Sequence, residues 1–263
     1  MAILTRAIEG EDRFANLRRF NLIAGIAHAV QVVLMLILAN DRTFPLTTAF
    51  LEFNEETQTL LPAQDTVLDL PLVYLVMSFS ALSAIAHFIV AGPAYDWYVA
   101  RLQERQNPAR WIEYAISSSI MLVVIAILFG VYNIAALVAI VGGNVAMNLF
   151  GWDMEMLNDQ QDEDINWKPF IFGCIAGIIP WITLAIYFIG TINGNEVPAF
   201  VFTIFILIFI AFNIFPINMV LQYKKVGPWK NYLFGEMGYI ILSLAAKSLL
   251  AWQVYGGALN QPV

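Results

Sequence analysis

One lysine lies in a stretch of sequence that is otherwise strongly apolar. Lys247 occurs in ILSLAAKSLLAWQ, about eight residues before Tyr255, which is roughly 12 Å along a helix. A charged side chain at the middle of a membrane costs about 2.5–3.5 kcal/mol on insertion scales, so it needs a partner or a function. Two interpretations fit: an ion pair that locks two helices together, or an amine that forms a Schiff base with an aldehyde. Ser243, one turn earlier on the same helix face, can hydrogen-bond that nitrogen.

Glu113 is the carboxylate that we expect to face Lys247. It lies in RWIEYAISSSIM, near the start of another apolar segment that runs parallel to the one holding the lysine. A protonated Schiff base is a buried cation and needs a nearby carboxylate as counterion. Glu113 lies nearer the start of its helix than Lys247 does, but a lysine side chain leans toward the N-terminus of its helix, which narrows the gap. The alternative is an interfacial carboxylate paired with Arg110.

Both histidines of the chain also fall in apolar segments. An imidazole readily accepts a proton near neutral pH, so His28 and His87 could take part in proton transfer, although each could equally be a hydrogen-bonded core residue. Gln31 and Ser83 lie about one turn away from them and are expected to share a polar, hydrated pocket with them. The chain has a single cysteine and no HxxxH pattern, so we predict no metal site.

The composition supplies a membrane framework for these side chains. Hydrophobic residues make up 60% of the 263 residues, only 13% are charged, and the mean hydropathy is +0.70, unlike a soluble domain. The sequence has no run of basic residues that would suggest a nucleic-acid partner. We predict an all-α, rhodopsin-like bundle of seven transmembrane helices in a lipid bilayer, forming one domain over residues 1–263. The apolar runs are long enough to cross about 30 Å of hydrocarbon, and they cover residues 21–39, 71–91, 108–129, 132–152, 169–190, 198–221 and 232–255.

Lysine and arginine residues lie almost entirely on one side of this bundle. Of the 13, 11 lie on the side that the N-terminal segment shares with the second, fourth and sixth loops, one (Arg42) lies on the other side, and the last is Lys247. The positive-inside rule therefore predicts a multi-pass protein of the cell membrane with a cytoplasmic N-terminus and an external C-terminus. The long first external loop, residues 40–70, contains Thr, Val and Phe residues. This composition predicts either a short β-hairpin or an unstructured acidic loop.

Several aromatic residues in the fifth and sixth spans could wall an elongated apolar ligand. Trp181, Tyr187 and Phe212 are the candidates, and Met121 in the third span is expected to join them. Aromatic residues make up 14% of the chain, so membrane core is the alternative interpretation. Gly173 and Gly177 form a GxxxG motif, which indicates a close helix contact, at a dimer interface or beside a bound ligand.

The chain resembles the heliorhodopsins over essentially its whole length. The resemblance rests on AGIAHAVQ, AHFIV and RWIEYAISSS in the first three spans, FGW at 150–152, FGCIAGIIPWITLAIY, LQYKKVGPWKNYLFGE and YIILSLAAKSLLAWQ. It implies an inverted seven-helix fold with a cytoplasmic N-terminus, in agreement with the charge count. It also implies all-trans retinal attached to Lys247 as a Schiff base, with Glu113 as the counterion. Ser243 would neighbour the Schiff base, and His28 and His87 would line a polar cavity near it.

The resemblance further implies a light sensor with a slow photocycle rather than an enzyme or an ion pump. Glu113 is the only acid that the sequence places well inside the third to sixth spans, whereas outward proton pumps typically use further carboxylates. We expect a homodimer that signals to an unknown cytoplasmic partner. The alternatives are a light-gated proton channel or weak transporter, a seven-helix receptor that does not respond to light, a light-regulated partner of an enzyme, and a retinal-isomerising enzyme.

Overall fold

The fold is mostly helical, with one small sheet. The computed structural model describes residues 12–38, 40, 42–159, 164–194 and 198–260; residue 39, the predicted edge of the first span, and both termini of the predicted domain lie outside these ranges. The helices of the described residues are Arg13–Leu38 (α1), Leu72–Ala91 (α2), Tyr95–Gln103 (α3), Pro108–Leu128 (α4), Ile134–Leu157 (α5), Lys168–Gly194 (α6), Ala199–Tyr223 (α7) and Tyr232–Val254 (α8).

All of these helices except the short α3 are long and apolar enough to cross a membrane, which confirms the prediction of seven spans. Large apolar side chains such as Ile37, Val138 and Ile186 are more than 60% exposed on the outside of the bundle. Apolar side chains on the outside of a bundle are expected where helices face lipid. The backbone hydrogen bonds of these helices are satisfied within each helix, so the lipid has no polar group to solvate. The first helix begins at Arg13 rather than near residue 21. Its additional residues lie on the N-terminal side of the apolar run and include charged side chains.

The first external loop forms the β-hairpin that the sequence offered as one alternative. Strand β1 (Thr43–Asn54) pairs with β2 (Thr59–Pro71) in antiparallel register, with a bulge after Leu46. The hairpin is held to the bundle by the backbone of Thr47, whose N–H donates to the carbonyl of Tyr132 at 2.9 Å. It thereby packs beside the loop between α4 and α5.

The two helices that hold Glu113 and Lys247 are the most buried of the bundle. In the most apolar stretch of each helix, 56% of the residues of α4 and 61% of those of α8 are buried, whereas the share in α7 is 17%. Each begins at an asparagine cap, where Asn107 accepts from the N–H of Arg110 at 3.1 Å and Asn231 accepts from the N–H of Leu233 at 3.0 Å. An asparagine side chain satisfies a free N–H at the start of a helix. These caps fix where both central helices begin.

The GxxxG motif of α6 packs against α5 within the same chain. A side chain at Gly173 would press on Phe150, and one at Gly177 would collide with Met147. The absence of side chains lets the two helices approach closely. The motif thus has an intramolecular role beside the cavity described next.

Candidate functional site

The structure brings Lys247, Glu113, Ser243 and Ser83 together in the interior of the bundle. The ammonium of Lys247 donates to Glu113 Oε1 at 3.0 Å and to Ser243 Oγ at 2.7 Å. The same carboxylate oxygen accepts from Ser83 Oγ at 2.6 Å. The side chains of Lys247 and Glu113 are only 3% and 10% exposed. The Lys247 side chain leans toward the start of α8, so its nitrogen reaches Glu113 although Glu113 lies nearer the start of its own helix.

This arrangement is electrically neutral, and each of its charges depends on the other. Removing one partner of a buried ion pair leaves an uncompensated charge in a medium of low polarity, which is strongly unfavourable. Tyr114 lies below the pair, with its ring centroid 5.2 Å from the lysine nitrogen, and it donates a hydrogen bond to the carbonyl of Tyr239 at 2.9 Å. The lysine nitrogen is thus held at a defined position rather than free to reach the surface.

Lys247 lines a cavity of about 410 Å³. Small-molecule sites in proteins commonly enclose about 300–1,000 Å³ and are mostly apolar with a few polar groups. Met121, Trp181 and Phe212 line the cavity, and Ser243 lines it together with Lys247. A primary amine in the wall of a mostly apolar cavity fits an aldehyde on a hydrocarbon chain, so the residues present suit retinal.

Aromatic rings form part of the wall of this cavity. The edge of Trp181 meets Phe209 and Phe212 at centroid separations of 5.0 and 5.6 Å, both close to perpendicular. Edge-to-face contacts of this kind are favourable beyond the area that they bury. The resulting part of the wall is apolar and closely packed.

Three serine or asparagine side chains in this cavity were not predicted from the sequence. Ser118, Asn148 and Asn213 all line it, and Asn144 donates to the hydroxyl of Ser118 at 2.7 Å. Asparagines in the apolar helix α5 were a usable signal, because polar residues in membrane spans normally face the interior of the bundle. They introduce fixed dipoles along an otherwise apolar chamber.

Tyr187 lies outside the cavity, and we remove it from the candidate site. It is not among the residues that line the cavity, and its side chain is 37% exposed on α6. Trp181, Leu184 and Phe188 form the buried face of this helix, with spacings of three and four residues. Six residues after Trp181, Tyr187 is rotated by about 240° around the helix, away from that face.

The two histidines stack on each other beside the ion pair. The rings of His28 and His87 lie 5.8 Å apart and are nearly parallel, and His87 Nδ1 is 2.8 Å from Asn21 Oδ1. His28 is fully buried, and neither of its ring nitrogens has a hydrogen-bond partner among the described residues. Gln31 donates instead to Ser80 Oγ at 2.9 Å. The predicted polar pocket therefore does not form around all four residues together.

A second, smaller cavity of about 50 Å³ borders Glu113, Ser83 and His87. His28 and Gln31 are not among the residues that line it. The cavity extends from the ion pair toward the end of the bundle where α4 and α8 begin, and there it meets Arg110 and Glu236.

Three buried charges at that end form an ion-pair cluster that the sequence did not predict. Arg110 of α4 donates to Glu236 of α8 at 2.9 Å and to Glu155 of α5, and all three residues are less than 9% exposed. Arg110 lies at the start of the third predicted span and was considered only as an interfacial partner of Glu113. Glu155 lies beyond the predicted end of the fourth span at residue 152, and in the structure it is buried near the end of α5. We call Arg110, Glu155 and Glu236 the arginine cluster.

One comparison with known proteins identifies a family. The family model described as Heliorhodopsin matches residues 17–259, which is nearly the whole chain. No curated protein matches the chain in sequence.

Proposed function

Because this chain belongs to the heliorhodopsin family of retinal-binding, light-sensing membrane proteins, we propose that all-trans retinal binds at Lys247 through a Schiff base and that the protein signals rather than pumps ions. The observation that supports the attachment site best is the position of the lysine amine. It is buried, it lies 3.0 Å from Glu113, and it belongs to a residue that lines the large aromatic cavity.

The polar side chains around the nitrogen have distinct roles in this proposal. Retinal supplies the absorption of visible light and a double bond that isomerises. Lys247 Nζ holds a proton, Glu113 balances the resulting charge as counterion, and Ser243 Oγ accepts a hydrogen bond from the nitrogen. Ser83 donates to Glu113 Oε1 and fixes the carboxylate in place. When the nitrogen is displaced, Glu113 is the base nearest to its proton.

The walls of the cavity determine the direction in which a bound chain can move. Trp181 and Phe212 pack edge to face on one side, and Met121 is fully buried on another. Close-packed interiors resist displacement, so strain from isomerisation is passed to the helices rather than absorbed by empty space. This supports a long-lived altered state and hence the slow photocycle that we propose.

We further propose that the N-terminus is cytoplasmic, that the protein forms a homodimer, and that it signals to a cytoplasmic partner. The distribution of basic residues supports the orientation. The exposed apolar faces of the bundle leave room for helix contacts with a second copy in the bilayer. The loops on the basic side offer polar surfaces to a partner.

The direct test is an absorption spectrum of membranes that contain the protein, recorded before and after addition of all-trans retinal. We expect a visible band that bleaches and recovers slowly after a flash. A wild-type protein without a visible band would contradict the photoreceptor proposal and favour a receptor that does not respond to light. Light-evoked currents in voltage-clamped cells would favour the alternative, a light-gated proton channel or weak transporter.

Glu113→Gln is expected to shift the visible band to longer wavelength. A carboxylate beside the nitrogen stabilises the positive charge there in the ground state more than in the excited state, because excitation moves that charge along the polyene. Removing the carboxylate therefore narrows the energy gap. The matched control is Glu104→Gln directly after α3, where the carboxylate pairs with Arg101 at the surface, and its band should equal that of the wild type. An unshifted band in Glu113→Gln would contradict the counterion assignment.

A further inference from the structure

The arginine cluster places two carboxylates against one guanidinium. Asn107 completes it: its backbone N–H donates to Glu155 Oε2 and its side-chain amide donates to Glu236 Oε2, both at 2.7 Å. With the two bonds from Arg110, each of the four carboxylate oxygens accepts one N–H. A protonated carboxyl oxygen is a poor acceptor, so this set of donors matches two ionised carboxylates.

Two ionised carboxylates and one guanidinium leave one negative charge without a partner in the cluster. Glu155 is 3% exposed and Glu236 is 1% exposed, so water at the surface does not solvate that charge. A buried, unbalanced charge is unfavourable, and two carboxylates that share a site favour the uptake of one proton. The cluster is therefore a place where a proton released nearby would be stabilised.

The small cavity connects this cluster to the lysine site. Glu113 and Ser243 border it on one side, and Arg110, Glu236 and Tyr239 border it on the other. Its volume of about 50 Å³ is enough for one or two water molecules, since each occupies about 30 Å³ in the liquid. Among the described residues, Arg110 Nε and Tyr239 Oη have no protein partner. Buried donors of this kind are normally satisfied by water.

Several other groups face the cavity, but few of them can accept a proton. The titratable and charged residues that border it are His87, Tyr98, Arg110, Glu113, Tyr114, Glu236 and Tyr239. Burial, together with the nearby Glu236 carboxylate, raises the pKa of the Tyr98 phenol above its ordinary value, so this residue stays neutral. Arg110 is already protonated, which leaves two glutamates and one histidine as candidate acceptors. Glu155 does not border the cavity and acts only through Arg110.

We propose that Glu236 accepts the proton that leaves Lys247 Nζ after illumination, by way of Glu113 and water in the small cavity. An N–H bond breaks at the lysine nitrogen and an O–H bond forms on Glu236, while Glu155 keeps the charge of Arg110 balanced. The proton returns along the same route when the nitrogen recovers, so nothing crosses the membrane. This inference rests on the proposed retinal photochemistry.

Proton uptake at Glu236 also provides a mechanical output. Neutral Glu236 binds Arg110 more weakly than the carboxylate does, because hydrogen bonds between charged groups are about twice as strong as neutral ones. Arg110 belongs to α4 and Glu236 to α8, so loss of that bond loosens the contact between these two helices at the end that we propose to be cytoplasmic. Storage of the proton and transmission of the signal then occur at the same cluster.

Light-minus-dark infrared spectra of the pigment in membranes test this inference. We expect the long-lived state of the wild type to gain a carboxylic-acid C=O band. Glu236→Gln and Glu155→Gln should each lose that band, because one remaining carboxylate is already balanced by Arg110. Glu104→Gln should retain it. A wild type that gains a protonated-imidazole signature and no carboxylic band, or a band that survives in both cluster variants, would overturn the proposal.

A measurement without retinal separates this inference from the proposed function. Infrared spectra of the retinal-free protein are recorded as the solution is acidified, and we expect the wild type to take up one carboxyl proton that neither cluster variant takes up. Identical titrations of the three proteins would overturn the inference even if a normal visible band forms. A missing visible band with the extra proton present would instead contradict the proposed function and leave the proton-accepting cluster intact.

Discussion

Replacement of Lys247 by alanine is expected to abolish the visible absorption band completely. Among the described residues that line the large cavity, Lys247 carries the only primary amine, and a primary amine forms a Schiff base with an aldehyde. Lys247→Arg keeps the positive charge beside Glu113 but cannot form the linkage, and it should be equally colourless. Spectra of both variants with all-trans retinal, recorded beside the wild type, measure the effect.

Two controls separate loss of the attachment site from loss of the fold. Lys230→Ala changes an exposed lysine beyond α7 and should keep the full band. The arginine variant retains a cation for Glu113, so its retinal-free form should elute as a folded protein. Borohydride reduction of the wild-type pigment, followed by peptide mass analysis, should locate the added mass on Lys247. A visible band in either variant, or added mass on a different lysine, would refute the assignment.

The parts of the fold that the sequence predicted are those that depend on burial alone. Seven apolar runs had to span the membrane, and a lysine within the last of them had to meet a carboxylate on a neighbouring helix. Helix geometry then placed Ser243 one turn away from Lys247, where it accepts a hydrogen bond at 2.7 Å. Each of these inferences uses the high cost of an unpaired charge in an apolar medium.

The arginine cluster could not be predicted in the same way, because its members lie near helix ends. Arg110 is the third residue of α4, and Glu155 is the third from the end of α5. Charged residues at such positions commonly reach interfacial water, and hydropathy does not tell which side of the helix they occupy. Only the packing of α4, α5 and α8 around Asn107 determines that these side chains turn inward.

The composition of a helix also does not show on which side of the helix a given aromatic residue lies. Trp181 and Tyr187 belong to the same apolar helix, and both are plausible neighbours of a polyene by type. The structure buries Trp181 and leaves Tyr187 more than a third exposed. In a helix that is apolar all round, no polar stripe marks the side that faces lipid, so the buried face cannot be assigned from the sequence.

Arg110→Met is expected to destabilise the protein more than any other single change at this end of the bundle. It leaves Glu155 and Glu236 buried without a cation, and breaking a buried pair in this way costs about 3–5 kcal/mol. The methionine also loses the contact of the guanidinium with the ring of Tyr239, whose centroid lies 3.7 Å away. We expect the melting temperature to fall by roughly 10 °C on the usual scale for chains of this size. Thermal unfolding of the retinal-free protein in one detergent measures it.

The surface pair supplies the matched control for this prediction. Arg101→Met removes an arginine whose partner Glu104 is more than half exposed, and exposed pairs contribute about 0–1 kcal/mol. Its melting temperature should stay close to that of the wild type. Adding Glu155→Gln and Glu236→Gln to Arg110→Met removes the stranded charges and should recover most of the lost stability. If the triple variant melts as low as Arg110→Met alone, the loss arises from packing against Tyr239, and the cluster does not depend on charge balance. Recovery would instead show that the two carboxylates are ionised against Arg110, which is the state that the proposed proton acceptor requires before illumination.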